Sequence, residues 1–318
     1  MDLNQLRELR QCPSGDTAAW LERYASLIGE KLEHHRAPAP KVSVVVVAYR
    51  SEDRVVGCLE RLRDQTGFSR DEIEVILLDN GGLDRARPEF PRLVDTEVRM
   101  THNVGLCPAR NLGAALARAE VLSFIDDDGL IERDYYENAL RHLEDPSIVA
   151  MRTRIVFNEH RYFTALASHY DRGDEVQDDN LITEGSSVLR RAQYMQVGGF
   201  ADSLSPFEGL DFSYRLKRYF PEARIIYAPD LVMHHDYVDG FKKLYRKSMG
   251  FRSVYDLALA ADPGIEAFVR QHQQRRFPEA ARRWDEKLAR GALSTVMSSL
   301  RWYSRLTRKQ SSYIPVRT

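Results

Sequence analysis

Cysteine is scarce in this chain of 318 residues. There are three, Cys12, Cys58 and Cys107, scattered and odd in number. With no CxxC pair, this cysteine usage suggests a reducing compartment. Long apolar runs are missing too. None approaches the ~20 residues needed to span a bilayer, and the first residues have no apolar signal core. An excess of one charge is also absent. The 46 Lys and Arg face 47 Asp and Glu, a net charge of −1, which argues against a general nucleic-acid binder. No glycine-rich phosphate loop follows the first apolar segment, which runs instead into Tyr49-Arg50. That speaks against a nucleotidyltransferase. The expectation is a cytoplasmic protein, and 43% hydrophobic residues are ample for a core.

What is present is a series of short buried strands. Val42-Ser43-Val44-Val45-Val46-Val47-Ala48 is nearly all β-branched and reads as a strand covered on both faces. Val55, Val56, Leu59 and Leu62 then form a helical stripe. Glu74-Val75-Ile76-Leu77-Leu78 is a second strand ending in Asp79-Asn80-Gly81-Gly82, which completes a βαβ unit. A further helix carries Leu112, Ala115, Leu116 and Ala119 into a third strand.

That third strand organises the chain. Val121-Leu122-Ser123-Phe124-Ile125 ends in Asp126-Asp127-Asp128-Gly129. Three adjacent carboxylates repel one another unless a cation compensates. Alternation along the strand sends Asp126 and Asp128 to one side and Asp127 to the other. In open α/β sheets the C-terminal strand edge is where ligands bind. Two same-side oxygen ligands there suit a divalent metal carrying a diphosphate. The ends Ala48-Tyr49, Asp79-Asn80 and Asp126–Asp128 all meet at that edge, in βαβαβ order.

In these residues the chain resembles the family 2 glycosyltransferases of GT-A fold. The match runs through Val44–Tyr49, Leu78-Asp79-Asn80, Asn103-Val104-Gly105, Ala109-Arg110-Asn111-Leu112-Gly113 and Phe124–Asp128. It continues through Gly185–Arg191, Val197-Gly198-Gly199-Phe200, Glu208–Arg215 and Pro229–His235, covering roughly residues 41–236. The resemblance implies an α/β fold with a Rossmann-like, mostly parallel central sheet flanked by helices. Leu3, Leu6 and Leu9, and later Trp20, Leu21, Tyr24, Leu27 and Ile28, stand at helical spacing, so residues 1–40 read as a helical appendage, before a catalytic domain at 41–240 and a basic helical extension at 241–318.

It also implies roles. Ala48, Tyr49 and Asp79 would hold the base and ribose, with Arg110 near the nucleotide or its phosphates. Asp128 would bind Mn²⁺ or Mg²⁺ directly, while Asp126 supports the ribose or the metal's waters. Asp127 would contact nucleotide or solvent. A third ligand would come from His235, with His234 the close alternative. Gly185-Ser186-Ser187 would lie beside the donor sugar. Residues 157–182, including His160, Arg161, Tyr162, His169, Tyr170 and Asp171, would shape the acceptor pocket.

One departure stands out. The family places Glu-Asp before a helix, the Asp being the base, but here Glu208 is followed by Gly209. Glu208 is the preferred replacement. Asp211 is the alternative, one turn into the helix, where an acid also favours the N-terminus.

The expected activity is transfer of a hexosyl or N-acetylhexosaminyl group from a nucleotide-diphosphate sugar, UDP-linked by preference, with inversion. The acceptor would be a glycan, lipid-linked, peptide or small-molecule hydroxyl. The alternative is a non-catalytic subunit of the same fold that binds nucleotide sugars or glycans, as the loss of the Asp at Gly209 would allow. Residues 270–318 carry about twelve Lys and Arg against three acids. This segment reads first as a helical cover on the core and second as a peripheral contact with an anionic membrane.

Overall fold

The computed structural model describes residues 16–51, 53–84, 87–275 and 283–306, with only the backbone at 246–253 and 300–306. Leu3, Leu6, Leu9 and Cys12 lie outside the described residues.

The β-branched run forms strand β2 (Val42–Ala48), preceded by β1 (Ile28–Glu33) and followed by β3 (Ile73–Asp79), β4 (Thr96–Met100) and β5 (Val121–Asp126). The later strands are β6 (Leu130–Ile131), β7 (Ile148–Val156), β8 (Gln177–Asp178), β9 (Ser186–Arg190) and β10 (Arg224–His234). They make one mixed sheet in the order β1-β4-β3-β2-β5-β9-β7-β10-β6, with β8 paired to β10. The pairs around β2 are parallel. Beyond β5, β9 runs antiparallel to both its neighbours, and β10 returns parallel to β7.

Strand alternation divides the core between the two faces. Val42, Val44, Val46 and Ala48 pack with Val55, Leu59, Leu62, Tyr135 and Tyr136 on one side. Val45, Ile76, Leu78 and Phe124 pack with Leu112, Tyr194, Phe200 and Phe212 on the other. The Leu106–Leu116 helix lies so close to the sheet that a Cβ on Gly113 would come within 2.4 Å of Val45 Cγ1. Position 113 therefore has no room for a side chain. The buried cysteines Cys58 and Cys107 are both free thiols.

The segment before β2 departs from a separate helical appendage. The helix Thr17–Tyr24 is present, capped by Asp16, whose side chain accepts the Ala18 N–H at 2.9 Å. Its Trp20 and Tyr24, however, are buried in the second core layer. Asn111 links this helix to the catalytic region, since its Nδ2 donates to Tyr24 Oη at 3.0 Å and to the Phe200 carbonyl at 2.7 Å. The chain then forms β1, which pairs antiparallel with β4 and closes that edge of the sheet. An edge strand that is exposed on most of its length has no continuous apolar face, so its polar sequence does not announce it.

Beyond β10 the chain is helical at Phe241–Ala261, Gly264–Gln274 and Trp284–Leu306. The first two helices are not detached from the core. Val254, Ala258, Ile265 and Val269 form a buried cluster with Ala201, Leu204, Phe207 and Leu210.

Candidate active site

The parallel register brings the three polar strand ends side by side. Ala48 stands opposite Asp79, and Val47 opposite Asp126. Ala48 is fully buried, and its carbonyl accepts the Asn80 N–H at 2.8 Å. Tyr49 is 38% exposed at the mouth of the site, with the Arg50 guanidinium 5.1 Å from its ring centre. Its backbone N–H donates to Asp127 Oδ2 at 3.1 Å, which joins the first strand end to the acid cluster. Asp79 caps its own turn by accepting the Gly81 N–H at 2.9 Å. Burial raises its pKa, and that turn hydrogen bond opposes the rise.

Asp126 and Asp128 converge with a histidine from the end of β10. His235 Nε2 is 3.2 Å from Asp128 Oδ1 and 3.9 Å from Asp126 Oδ2. Its Nδ1 faces Tyr170 Oη at 3.5 Å. His234 turns the other way and meets Glu132 at 2.7 Å. Burial works against the charge on Asp128, but His235 and Arg54 outweigh it and hold its pKa below the ordinary value. Asp127 has no such partner. Burial and the neighbouring Asp128 push it up to about 6, against the hydrogen bond from the Tyr49 amide.

Among the described residues no group of three or more His, Cys, Asp or Glu side chains is already arranged as a metal shell. Instead His235 Nε2 faces Asp128, and Arg110 engages Asp126. The donors themselves, two carboxylates and an imidazole nitrogen, fit a divalent cation of the Mn²⁺ type. The charge repulsion that lifts Asp127 is what such a cation would relieve.

Arg110 is buried and bridges two acids. It donates to Asp126 Oδ1 at 2.9 Å and lies 3.5 Å from Glu208 Oε1. The guanidinium thus ties Asp126 to Glu208. Glu208 opens the Glu208–Tyr219 helix and is only 2% exposed. Ser205 donates to the same Oε1 at 3.3 Å. Among the described residues its Oε2 is buried without a hydrogen-bond partner. Burial raises the pKa of Glu208, and Arg110 partly offsets it. Asp211 is fully buried against Arg215, with 2.8 Å between Oδ2 and Nη2. Arg215 in turn donates to the Gly199 carbonyl at 2.6 Å and to the Val197 carbonyl.

Glu184, half-buried in the loop before β9, also belongs to this cluster, although no sequence motif singles it out. Burial and the adjacent Glu208 raise its pKa to about 8. A signal does exist: an acid stands directly before Gly185-Ser186-Ser187, and an expected acid is missing at Gly209. Gly185 lies so close under Asp126 that a Cβ there would fall 1.9 Å from Oδ1. An open groove of about 740 Å³ lined by Arg36, Pro38, Lys41, Arg118 and Glu120 lies at the opposite, N-terminal edge of β2 and β5, away from these acids.

The sequence model of Glycosyl transferase family 2 matches residues 43–201, half of the chain, and the chain belongs to that family. EpsH of Bacillus subtilis (strain 168), a putative glycosyltransferase, is 40% identical over 111 residues, which are 33% of this chain and 31% of EpsH. The glucosyl-dolichyl phosphate glucuronosyltransferase of Haloferax volcanii is 26% identical over 176 residues, 50% of this chain and 56% of that protein. The chain thus spans 31% to 56% of these curated relatives' length. Among solved structures, the mannosyltransferase PcManGT from Pyrobaculum calidifontis, in complex with GDP-Man and Mn²⁺, superposes with a TM-score of 0.52 at 17% identity. That superposition covers 96% of this chain and 95% of PcManGT. S. aureus TarS 1-349 in complex with UDP-GlcNAc superposes with the same TM-score at 19% identity, over 73% of this chain and 71% of that one. These neighbours share the GT-A fold with this chain.

Proposed function

We propose that this protein is a metal-dependent glycosyltransferase that moves a sugar from a UDP-linked donor to an acceptor hydroxyl with inversion. The observation that carries the reading is the convergence of Asp126 and Asp128 with His235, which follows β10, at the sheet edge where the parallel strands β3, β2 and β5 end. Family membership supports it, as do the nucleotide sugars bound by two proteins of the same fold, GDP-Man by PcManGT and UDP-GlcNAc by TarS.

In this reading Tyr49 packs on the base, and Asp79 accepts from the base or ribose. Asp127 holds the Tyr49 backbone in place. Asp126, Asp128 and His235 hold Mn²⁺ or Mg²⁺, which when bound offsets charge on the departing diphosphate. Arg110 keeps Asp126 oriented. A carboxylate at the N-terminus of the Glu208–Tyr219 helix takes the acceptor's proton. Asp211 holds Arg215 and, through it, the Val197–Gly199 turn.

The test is thermal denaturation with UDP, with and without Mn²⁺. Ligand that binds only the native state raises the melting temperature. Asp128→Ala should abolish the Mn²⁺-linked part of the UDP shift. Equal shifts in wild type and variant, unaffected by EDTA, refute the metal site. Donor hydrolysis with Mn²⁺ separates an enzyme from a non-catalytic sugar-binding subunit.

Peripheral membrane contact is part of the proposal. Among the described residues no helix is long and apolar enough to cross a membrane. Trp284 and Leu288, one helical turn apart beside the basic Arg283 and Lys287, are 73% and 65% exposed. That combination suits an anionic surface.

A further inference from the structure

The first turn of the Glu208–Tyr219 helix lacks a side chain at Gly209, yet the space it would fill is taken. A Cβ built on Gly209 would lie 2.0 Å from Oε1 and 2.7 Å from Cδ of Glu184, and 2.3 Å from the Leu181 carbonyl oxygen. Real Cβ atoms essentially never approach within 3.0 Å of other heavy atoms. The Glu184 carboxylate lies against the first turn of this helix, where the Gly209 amide opposes the rise in its pKa. The loop before β9 thus delivers a carboxylate to the place where a side chain at 209 would have put one.

We propose that Glu184 is the catalytic base, taking over from the loop before β9 the position vacated at Gly209. This rests on the glycosyltransferase reading above. The acceptor oxygen attacks the anomeric carbon of the donor sugar. The bond from that carbon to the diphosphate oxygen breaks, and its electron pair leaves with the nucleoside diphosphate. The hydroxyl proton passes to Glu184, which returns it to solvent after the product leaves.

Three observations favour Glu184 over Glu208. Glu184 is half-buried, whereas Glu208 is 2% exposed. Glu208 already uses Oε1 on Arg110 and Ser205. The residue after Glu184 lies against Asp126, since the Asp126 N–H donates to the Gly185 carbonyl at 2.8 Å. Glu184 is thus one residue from the donor side of the site. Burial beside Glu208 also makes Glu184 a stronger base than an ordinary carboxylate. In this arrangement Glu208 is the positioning partner. It binds Arg110 and sets the charge that Glu184 meets.

The experiment uses the full chain, with UDP-glucose and UDP-GlcNAc as donors, Mn²⁺, and water as the acceptor, read as UDP release. UDP with Mn²⁺ should raise the melting temperature of wild type and of Glu184→Gln alike. Glu184→Gln should lose ~10²–10⁴-fold in UDP release, a larger loss than Glu208→Gln. Gly209→Asp alone should lower the melting temperature, because its Cβ meets the Glu184 carboxylate and the Leu181 carbonyl. Adding Glu184→Gly should regain only part of that stability, since it removes the Glu184 contact and leaves the Leu181 carbonyl in place. Full activity in Glu184→Gln overturns the assignment, and a greater loss in Glu208→Gln transfers the role to that residue. A Gly209→Asp variant as stable as wild type also overturns it, because the space would then be free. If wild type neither binds UDP with Mn²⁺ nor releases UDP, the glycosyltransferase reading itself falls and takes this assignment with it.

Discussion

His235 Nε2 lies 3.2 Å from Asp128 Oδ1, while the preceding His234 faces Glu132. The two neighbours at the end of β10 point to opposite faces, as strand residues must. Only one of them can share a cation with the acid cluster. His235→Ala should remove most of the Mn²⁺-dependent part of the melting shift given by UDP, and His234→Ala should keep it. Calorimetric titration of Mn²⁺ in the presence of UDP provides an independent check. The reverse pattern would move the ligand to His234.

Asp211 and Arg215 form a buried ion pair one helical turn apart. Replacing Asp211 by Asn leaves the Arg215 charge buried without its counter-ion, a change that typically costs about 3–5 kcal/mol. Urea unfolding of Asp211→Asn should show a loss of this order. Below the unfolding transition, the UDP affinity of the variant should stay near that of wild type. A fully stable but inactive Asp211→Asn would instead place Asp211 in the chemistry.

His272 gives the fold a pH dependence. It sits on the Gly264–Gln274 helix with Asn180 Nδ2 at 2.9 Å from its Nδ1. Burial lowers its pKa below 6.5, Asp179 opposes the shift, and Arg172, Arg275 and Arg152 add to it. Below pH 6.5 the unfolded chain binds a proton that the folded protein refuses. Its contribution to stability is therefore complete above 6.5 and falls as the pH drops towards the lower folded value. For this one proton the unfolding constant changes by at most ~10-fold per pH unit. His272→Gln should flatten the urea midpoint against pH just below 6.5. An unchanged slope would show that another group is responsible.

The exposed Trp284 and Leu288 provide a test of membrane contact. The double variant Trp284→Ser with Leu288→Ser should bind vesicles containing phosphatidylglycerol less well than wild type. Added salt should weaken wild-type binding. Equal sedimentation of both proteins with vesicles, at low and high salt, would remove this part of the proposal.

Much of the site was legible because its signals are local. The apolar runs at Val42–Ala48, Ile73–Asp79 and Val121–Asp126 determine strands wherever they are placed. Polar residues at their ends mark the ligand edge of a parallel sheet. The order of these motifs also carried the family, which the match over residues 43–201 bears out.

Other features depend on contacts between distant parts of the chain. A polar segment such as Ile28–Glu33 becomes a strand only because β4 offers it an unpaired edge. Arg110 has the composition of a phosphate ligand, but packing under Asp126 and beside Glu208 gives it two acids to hold. Alternation alone says that His234 and His235 diverge, while the pairing of β10 with β6 and β7 decides which of them meets Asp128. The sequence by itself determined that an acid is missing at Gly209. That Glu184 fills the gap was decided by tertiary structure, because loop and helix are brought together by packing rather than by any local pattern.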